Sequence, residues 1–482
     1  MTDHEVERSR ATEPLFYRAP HPDTITPSPY QHAAVEYALA RDHCLIGDAP
    51  GLGKTGESIM LSNAIGAKKT LVVCPASLRL NWQREIKMWS TLCNVSTYPV
   101  LKSKDGVSNV HDYVIISYAL LSNPFILNAI MAERWDHLIL DEAHALKDPK
   151  GNKRTQVICA PDLIPSVVGR ITMLSGTILP NQPIEVYNAM RLLQWSSIDG
   201  MSLDAFRNEY YAMGQGYVRG PVFDSTKQTN VWKLHWSDRV RNVPRNLDDL
   251  QFRLRHNLMV RRLKEQVLDQ LPPKQWHPFP LELNSRIRRA LKHEGWKAAE
   301  KLYEMNAHAF DSGIPIDGAI STARRELGEA KVASIIPYIE ELLQAGTEKL
   351  VVAAWHHTVL DQLRDSLAKY GLVFMDGSTS AKKKQQAVDQ FQEDPAVRII
   401  LGQMLPLGEG WTLTAAQDVV LCEPDCVPGK NDQLLDRIHR RGQEGDYVIG
   451  HVPVVPDTLD ERILNTAIVK DQNIYRALDA VT

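Results

Sequence analysis

Strand-length apolar runs recur along this chain in two series, and that recurrence limits the fold more than any other feature. The first series falls at residues 44–46, 71–74, 114–116, 138–140 and 171–174; the second falls at 350–353, 373–375, 399–402 and 419–422. Each run is rich in Val, Ile and Leu and is followed by turn or polar residues. Parallel strands buried on both faces need such continuous apolar runs, and the crossovers between them need helices. The pattern predicts an α/β protein with two units, each a mainly parallel sheet flanked by helices. A length of 482 residues accommodates two or three globular units.

Elsewhere the pattern weakens. Residues 1–28 are polar and Pro-bearing and read as a flexible leader. Residues 194–280 carry Trp, Tyr and Arg without clear alternation. They close on Leu271-Pro272-Pro273, where the paired prolines read as a linker or hinge. Residues 285–338 read as mainly helical, interrupted by a loop at 311–317.

The first apolar run leads into Asp48-Ala49-Pro50-Gly51-Leu52-Gly53-Lys54-Thr55, and a helical stretch follows. Glycines there let backbone N–H groups turn inward around phosphate oxygens, and a helix N-terminus adds its positive end. Gly51 and Gly53 would shape the cradle, Lys54 would reach the β- and γ-phosphates, and the Thr55 hydroxyl would bind Mg²⁺. Asp48 stands where this pattern usually has its first Gly. Asp141-Glu142-Ala143-His144 ends the run at 138–140, the place where a carboxylate meets a phosphate loop in an open α/β sheet. Asp141 would hold the Mg²⁺ and Glu142 would polarise the attacking water. No HExxH pattern supports a zinc-protease alternative.

A third polar segment spans Gln433, Asp436, Arg437, His439, Arg440 and Gln443. Arg437 and Arg440 are three apart, so on a helix they share a face. Taken alone, the segment is compatible with a solvated basic helix or with a pair of guanidinium groups that neutralise γ-phosphate charge.

Composition excludes little. The net charge of −3 argues against a generally basic coat but leaves local phosphate-binding patches open. Six scattered cysteines suit a reducing compartment; Cys422 and Cys426 read as buried or inert, with half a metal site as the alternative. No run approaches a bilayer span, and residues 1–14 lack a signal-peptide core, so the chain is expected in the cytoplasm.

Taken together and in this order, these segments resemble the ATPase motor of helicase superfamily two, specifically the Swi/Snf type, over about residues 29–443. Tyr30-Gln31 resembles the family's adenine-reading motif. Pro75-Ala76-Ser77-Leu78 with Trp82 and Glu85, and Ser117-Tyr118, resemble DNA-facing motifs of its first lobe. The 141–144 segment is its DEAH box; His144 and Ser175-Gly176-Thr177 resemble its coupling elements. Met259-Val260-Arg261-Arg262-Leu263-Lys264 through Pro273 is similar to its lobe junction. Gly377-Ser378-Thr379, Thr414-Ala415-Ala416 and the 433–443 segment complete the second lobe, and by resemblance Arg437 and Arg440 are arginine fingers. Ala354-Trp355-His356-His357, Asp376-Gly377-Ser378-Thr379-Ser380 and Trp411-Thr412-Leu413-Thr414-Ala415-Ala416 are similar to the annealing-helicase (HARP-like) branch. Gly408-Glu409-Gly410 departs from the family's Gly-Leu-Gly.

The resemblance implies two RecA-like lobes with helical protrusions: a leader at 1–28, lobe one at 29–265 with its protrusion at about 194–257, a linker at 266–284, and lobe two at 285–482 with its protrusion at about 285–328. It implies ATP and Mg²⁺ as cofactors, with Gly410 and Gln433 joining Tyr30, Gln31 and the phosphate loop around the nucleotide. DNA contacts are expected from Pro75, Ser77, Ser117, Arg261, Arg262, Gly377, Ser378 and Thr414; for the arginines around 239–262 a solvated helix face is the alternative. The implied function is a DNA-stimulated ATPase and double-stranded DNA translocase or remodeller, monomeric in the motor itself and possible on forked or branched DNA. The rivals are a strand-separating helicase, a motor subunit of a restriction or recombination complex, and a nucleotide-binding scaffold without turnover. The short flanks suggest a bacterial or bacteriophage source.

Overall fold

The apolar runs of the first series are all strands of one parallel sheet. In the computed structural model, which describes residues 3–108, 110–149, 152–224, 229–268, 271–292, 318–408 and 410–480, the chain forms two units. The first comprises Met1–Tyr210, Asn246–Gln270 and Ile474–Thr482, the second Tyr211–Arg245 and Leu271–Asn473.

The first unit contains β1 (Cys44–Ile46), β2 (Thr70–Cys74), β3 (Thr97–Pro99), β4 (Tyr113–Ser117), β5 (Trp135–Asp141) and β6 (Val168–Leu174). After β7 (Tyr211–Asp224) and β8 (Thr229–Pro244), which belong to the second unit, it is completed by β9 (Met259–Val260). Its seven strands run in the order β3-β4-β2-β5-β6-β1-β9 with every pairing parallel. Strands β1, β2 and β4 are buried along their whole length, which is why they read as unbroken apolar runs. Each fully buried Leu or Ile there contributes about 1.5–3 kcal/mol of hydrophobic stabilisation.

The second sheet holds β10 (Lys274–Pro280), β11 (Leu350–Ala354), β12 (Leu372–Met375), β13 (Ile399–Gln403), β14 (Asp418–Leu421) and β15 (Val448–Val454). Their order is β10-β15-β14-β11-β13-β12, again wholly parallel. Alternate residues of β11 enter different cores: Leu350, Val352 and Ala354 on one face, Val351 and Ala353 on the other.

Four sequence expectations need correction. Residues 211–224 and 229–244, expected within a helical protrusion, form an antiparallel ribbon of β7 and β8. Val218, Val222, Phe223, Val231, Trp232 and Trp236 lie in it, residue types that favour an extended pleat over a helix. The linker expected over 266–284 is shorter, because Lys274–Pro280 is already an edge strand, where Pro278 and Pro280 are tolerated. The leader is ordered over its described residues 3–28: Asp3 caps helix His4–Arg10, Glu5 pairs with Arg41, and the Ala19 N–H donates to His32 Nδ1 at 3.0 Å. Finally, Ile474–Thr482 groups with the first unit and not with the second. Of the second protrusion, Ser285–Lys292 and the start of Gly318–Gln344 are helical, while 293–317 lies outside the described residues.

Candidate functional site

Strand register places the first unit's motifs. Ile46 of β1 is opposite Leu174 of β6, and Leu174 is opposite Asp141 of β5. The residues that follow therefore leave the sheet side by side: Gly47 into the phosphate loop, Ser175 into Ser175-Gly176-Thr177, and Glu142 after Asp141. In a parallel α/β sheet this carboxyl end is where ligands bind.

The loop is held in left-handed geometry by glycine, with φ 91° at Gly51 and 90° at Gly53. At Gly53 a Cβ would also come within 2.6 Å of Gln31 Nε2. Helix Lys54–Ala64 begins immediately, turning its N-terminal N–H groups toward the loop. The Tyr30 hydroxyl donates to Leu52 O at 2.9 Å and Gln31 Nε2 donates to the same oxygen at 3.4 Å. Gln31 Oε1 accepts from the Ser28 N–H at 2.9 Å, so the amide links the cap of its own helix, Pro29–Leu39, to the loop.

Asp48 explains its own departure from the glycine pattern. It is fully buried, accepting from the Arg262 N–H at 2.9 Å and Arg262 Nε at 3.1 Å, with Arg262 Nη2 also bonded to it. Glu57 lies 3.5 Å from the same guanidinium, and burial followed by the Asp48 charge pushes its carboxyl well above the usual range. Arg262 is thus a buried structural cation. Arg261 is likewise buried, paired with Asp479 at 2.8 Å, and Arg255 pairs with Asp479 at 3.1 Å. The expectation that Arg261 and Arg262 face DNA is corrected on that ground, and Arg255 is not a solvated face either. Ser117, at 3% exposure, is also too buried to present its hydroxyl to a backbone. Pro75 and Ser77 remain partly exposed, Ser77 in the turn Ala76–Leu78 after β2.

Around the acidic pair, Trp82 Nε1 donates to Asp141 Oδ2 at 2.8 Å, and the Tyr118 hydroxyl donates to Asp141 O at 2.8 Å. Desolvation and then the Glu142 charge push Asp141 up to about 6. Glu142 has φ 50°, a left-handed conformation that costs a non-glycine residue about 1–3 kcal/mol and is concentrated at functional sites. His144 Nδ1 lies 3.2 Å from Glu142 Oε2 and 3.5 Å from Ser175 Oγ, and Ser175 Oγ accepts from the Thr177 N–H at 3.3 Å. Lys54 Nζ donates to Asp48 O at 2.7 Å and Ala49 O at 3.3 Å. Desolvation lowers its pKa, while Glu142, Asp48, Glu57 and Asp141 oppose that shift. A primary cation, left-handed glycines and two adjacent carboxylates fit a nucleotide phosphate chain with a divalent cation.

In the second unit, Asp376 organises Gly377-Ser378-Thr379: its Oδ1 accepts from the Ser378 and Thr379 N–H groups at 3.0 and 2.9 Å. Those bonds, together with the two hydroxyls, hold its carboxyl below the usual range against the opposing effect of desolvation. Gly377 N donates to Gln403 Oε1 at 3.1 Å, and Thr414 Oγ1 accepts from Gln392 Nε2 at 3.4 Å. Gly410 has φ 46°, and Gln433 lies on helix Pro428–Ile438; Glu409 lies outside the described residues. Arg437 is buried in the last turn of that helix, its carbonyl accepting from the Leu413 N–H at 2.9 Å. The helix stops at Ile438, with Gly442 at φ 89° shortly after, so Arg440 does not share a helix face with Arg437 as the spacing suggested. Arg440 Nε donates to Asp436 O at 3.1 Å and Nη1 to Thr412 Oγ1 at 3.4 Å. Cys422 and Cys426 are both buried, and burial pushes the Cys422 thiol up to about 12.

Sequence reasoning missed Trp82 as the residue that orients Asp141, and Arg255 and Asp479 as ion-pair partners. Trp82 carried a signal, a Trp amid the polar residues of helix Arg79–Trp89, but was read as part of a DNA-facing motif. Nothing in the local sequence around Asp479 announces its partners.

A family model described as the SNF2-related domain matches residues 30–336, and one described as the helicase conserved C-terminal domain matches residues 331–442. The Homo sapiens "DNA annealing helicase and endonuclease ZRANB3" is 28% identical over 445 residues, which make up 90% of this chain and 38% of that protein. The Xenopus laevis "SWI/SNF-related matrix-associated actin-dependent regulator of chromatin subfamily A-like protein 1" is 30% identical over 441 residues, 90% of this chain and 42% of that protein. The chain therefore spans about two fifths of the length of these relatives. The name of the human relative agrees with the annealing-helicase branch resembled by residues 354–357 and 376–380. Both relatives are animal proteins and lend no support to a bacterial or bacteriophage source. Among solved structures, the "Sulfolobus solfataricus SWI2/SNF2 ATPase core in complex with dsDNA" is similar at TM-score 0.42 and 18% identity, over 95% of this chain and 98% of that one. Among the described residues, no helix is long and apolar enough to cross a membrane.

Proposed function

The chain belongs to the SNF2-related family, and from that premise we propose that it is an ATP-hydrolysing motor, stimulated by DNA, that moves along duplex DNA and acts on forked or branched forms. The observation that carries this proposal is the row Ile46–Leu174–Asp141 across three parallel strands, which sets a phosphate loop, a coupling serine and an acidic pair at one end of one sheet.

Lys54 and the first N–H groups of its helix would bind the β- and γ-phosphates. Thr55 and Asp141 would hold Mg²⁺, which when bound supplies neutralising charge beside the phosphates. Trp82 keeps Asp141 oriented for that duty. Glu142 would accept a proton-side hydrogen bond from the attacking water and aim it. His144 touches both Glu142 and Ser175, so a change at the carboxylate is passed to Ser175-Gly176-Thr177. Arg437 and Arg440 would offset charge developing on the γ-phosphate, and Pro75, Ser77, Gly377, Ser378 and Thr414 would meet the DNA backbone. Backbone contacts of this kind position without reading sequence.

The test is ATP turnover with no nucleic acid, single-stranded DNA, duplex DNA, forked DNA and RNA. Stimulation by duplex and forked DNA of random sequence, and little by RNA, is expected. Turnover indifferent to all four would overturn the motor assignment.

A further inference from the structure

Arg261 stands behind the phosphate loop, and all three nitrogens of its guanidinium donate hydrogen bonds. Nη1 donates to Gly47 O at 2.6 Å and to Gly176 O at 3.0 Å. The opposite edge meets one carboxylate: Nε donates to Asp479 Oδ1 at 2.8 Å and Nη2 to Asp479 Oδ2 at 3.0 Å. Gly47 immediately precedes Asp48, and Gly176 lies against the loop so closely that a Cβ on it would be 2.8 Å from Pro50 Cδ. A planar guanidinium clamped along one edge has its remaining nitrogen aimed. The two carbonyls that flank the loop are therefore fixed by a carboxylate near the far end of the chain.

Asp479 is itself held. Arg255 Nη2 donates to Asp479 Oδ1 at 3.1 Å, Arg255 Nε to Leu478 O at 2.8 Å, and Arg255 Nη1 to Arg261 O at 3.1 Å. Arg10 Nη2 donates to Ala480 O at 2.9 Å, and Gln251 Nε2 to Arg476 O at 3.1 Å. All of these residues belong to the first unit.

We propose that Asp479 is a positioning residue for nucleotide binding, acting through Arg261 on Gly47 and Gly176. The inference rests on the nucleotide assignment of the phosphate loop. Without the carboxylate, the guanidinium loses the partner that fixes its plane, and the two carbonyls lose a common donor. The loop then samples arrangements that do not bind phosphate, which lowers affinity by the fraction of time spent in them.

The experiment is titration of the full chain with a fluorescent ADP analogue and Mg²⁺, alongside thermal melting by circular dichroism. Asp479→Asn is expected to weaken ADP binding about tenfold while the protein stays folded, and Asp479→Glu to recover most of the loss. Gln251→Ala releases the same segment at Arg476 without touching Arg261, and is expected to bind ADP like the wild type. A folded Asp479→Asn that binds ADP at the wild-type level would overturn the proposal. So would a Gln251→Ala variant as weak as Asp479→Asn, since anchoring of the segment alone would then explain the effect. If Asp479→Asn does not fold, Arg261→Lys decides: it keeps the charge beside Asp479 but cannot reach both carbonyls, so unaltered ADP binding overturns the proposal and weakened binding supports it. Wild-type protein that binds no ADP would instead sink the nucleotide assignment itself.

Discussion

Arg262 holds Asp48 from two directions, its backbone N–H donating to one carboxylate oxygen at 2.9 Å and its Nε to the other at 3.1 Å. Both side chains are fully buried, with Glu57 as the only other acid in contact with that guanidinium among the described residues. The aspartate thereby ties the start of the phosphate loop to the stretch after β9. Asp48→Gly restores the commoner loop residue yet leaves a buried guanidinium short of a partner. Loss of one member of a buried pair costs about 3–5 kcal/mol. Asp48→Gly is therefore expected to destabilise the first unit by that amount and to weaken ATP binding, as read by urea unfolding and nucleotide titration. A variant as stable as the wild type would show that the pair does not hold the loop.

Lys54 and Glu142 should fail differently. Lys54→Ala removes the cation facing the phosphates and is expected to lose nucleotide binding. Glu142→Gln keeps size and hydrogen-bonding capacity but cannot polarise water as a carboxylate does. It is expected to bind ATP normally and to stall hydrolysis. Equilibrium binding and steady-state turnover separate the two, and near-wild-type turnover by Glu142→Gln would remove Glu142 from its assigned role.

Arg440 lies just past the end of helix Pro428–Ile438, half-buried, whereas Arg437 is buried within its last turn. Truncating Arg437 therefore mixes folding with chemistry, and Arg440→Ala is the cleaner probe. Arginine fingers contribute roughly 10³- to 10⁵-fold in well-studied phosphoryl transfer. Arg440→Ala is expected to abolish DNA-stimulated hydrolysis while ATP still binds. Intact stimulated turnover would return this segment to a basic surface feature.

Acid should loosen the first unit through His137. This ring lies fully buried between Ser62 Oγ at 2.7 Å and Thr172 Oγ1 at 2.8 Å, and desolvation lowers its pKa from 6.5 to about 3. Below pH 6.5 the unfolded chain takes up a proton that the folded one refuses. Stability is thus complete above pH 6.5 and falls as pH drops toward 3, by up to about 1.4 kcal/mol per unit. His137→Gln is expected to flatten this part of the profile, measured as unfolding free energy between pH 7 and pH 5. Parallel profiles for variant and wild type would assign the acid sensitivity to other groups.

The inner strands were legible because buried parallel strands impose a local signature, so the runs at 44–46 and 138–140 could be placed before any contact was known, whereas Thr97–Pro99, Met259–Val260, Lys274–Pro280 and Val448–Val454 were not named. The phosphate loop and acidic pair were legible for the same reason, since their chemistry is contiguous in sequence. The arginines were not. Arg261 and Arg262 looked like any basic pair, and their partners, Asp479 and Asp48, lie 218 and 214 positions away. Whether a charge faces DNA or a buried carboxylate is decided by tertiary burial. The ribbon of β7 and β8 was missed because its glycines and Pro221 interrupt the alternation that marks a strand. The break after Ile438 was missed because a spacing of three says nothing about where a helix ends.

The form of DNA on which the proposed motor would work separates translocation from unwinding. If Ser77, Gly377, Ser378 and Thr414 meet phosphates rather than base edges, random sequences should stimulate alike and binding should depend steeply on salt. Each duplex phosphate neutralised lowers log K by roughly 0.9 per tenfold rise in salt. A motor that tracks one strand inside an intact duplex leaves base pairs closed as it advances. It should therefore strip a triplex-forming third strand from duplex DNA when ATP is supplied, and should leave a tailed duplex unseparated. Forked DNA should stimulate turnover more than blunt duplex if the annealing-helicase resemblance extends to substrate choice. Gel assays of both displacement reactions, run with wild type and with Glu142→Gln as the stalled control, decide the matter. Efficient unwinding of the tailed duplex without third-strand displacement would replace the translocase with a strand-separating helicase.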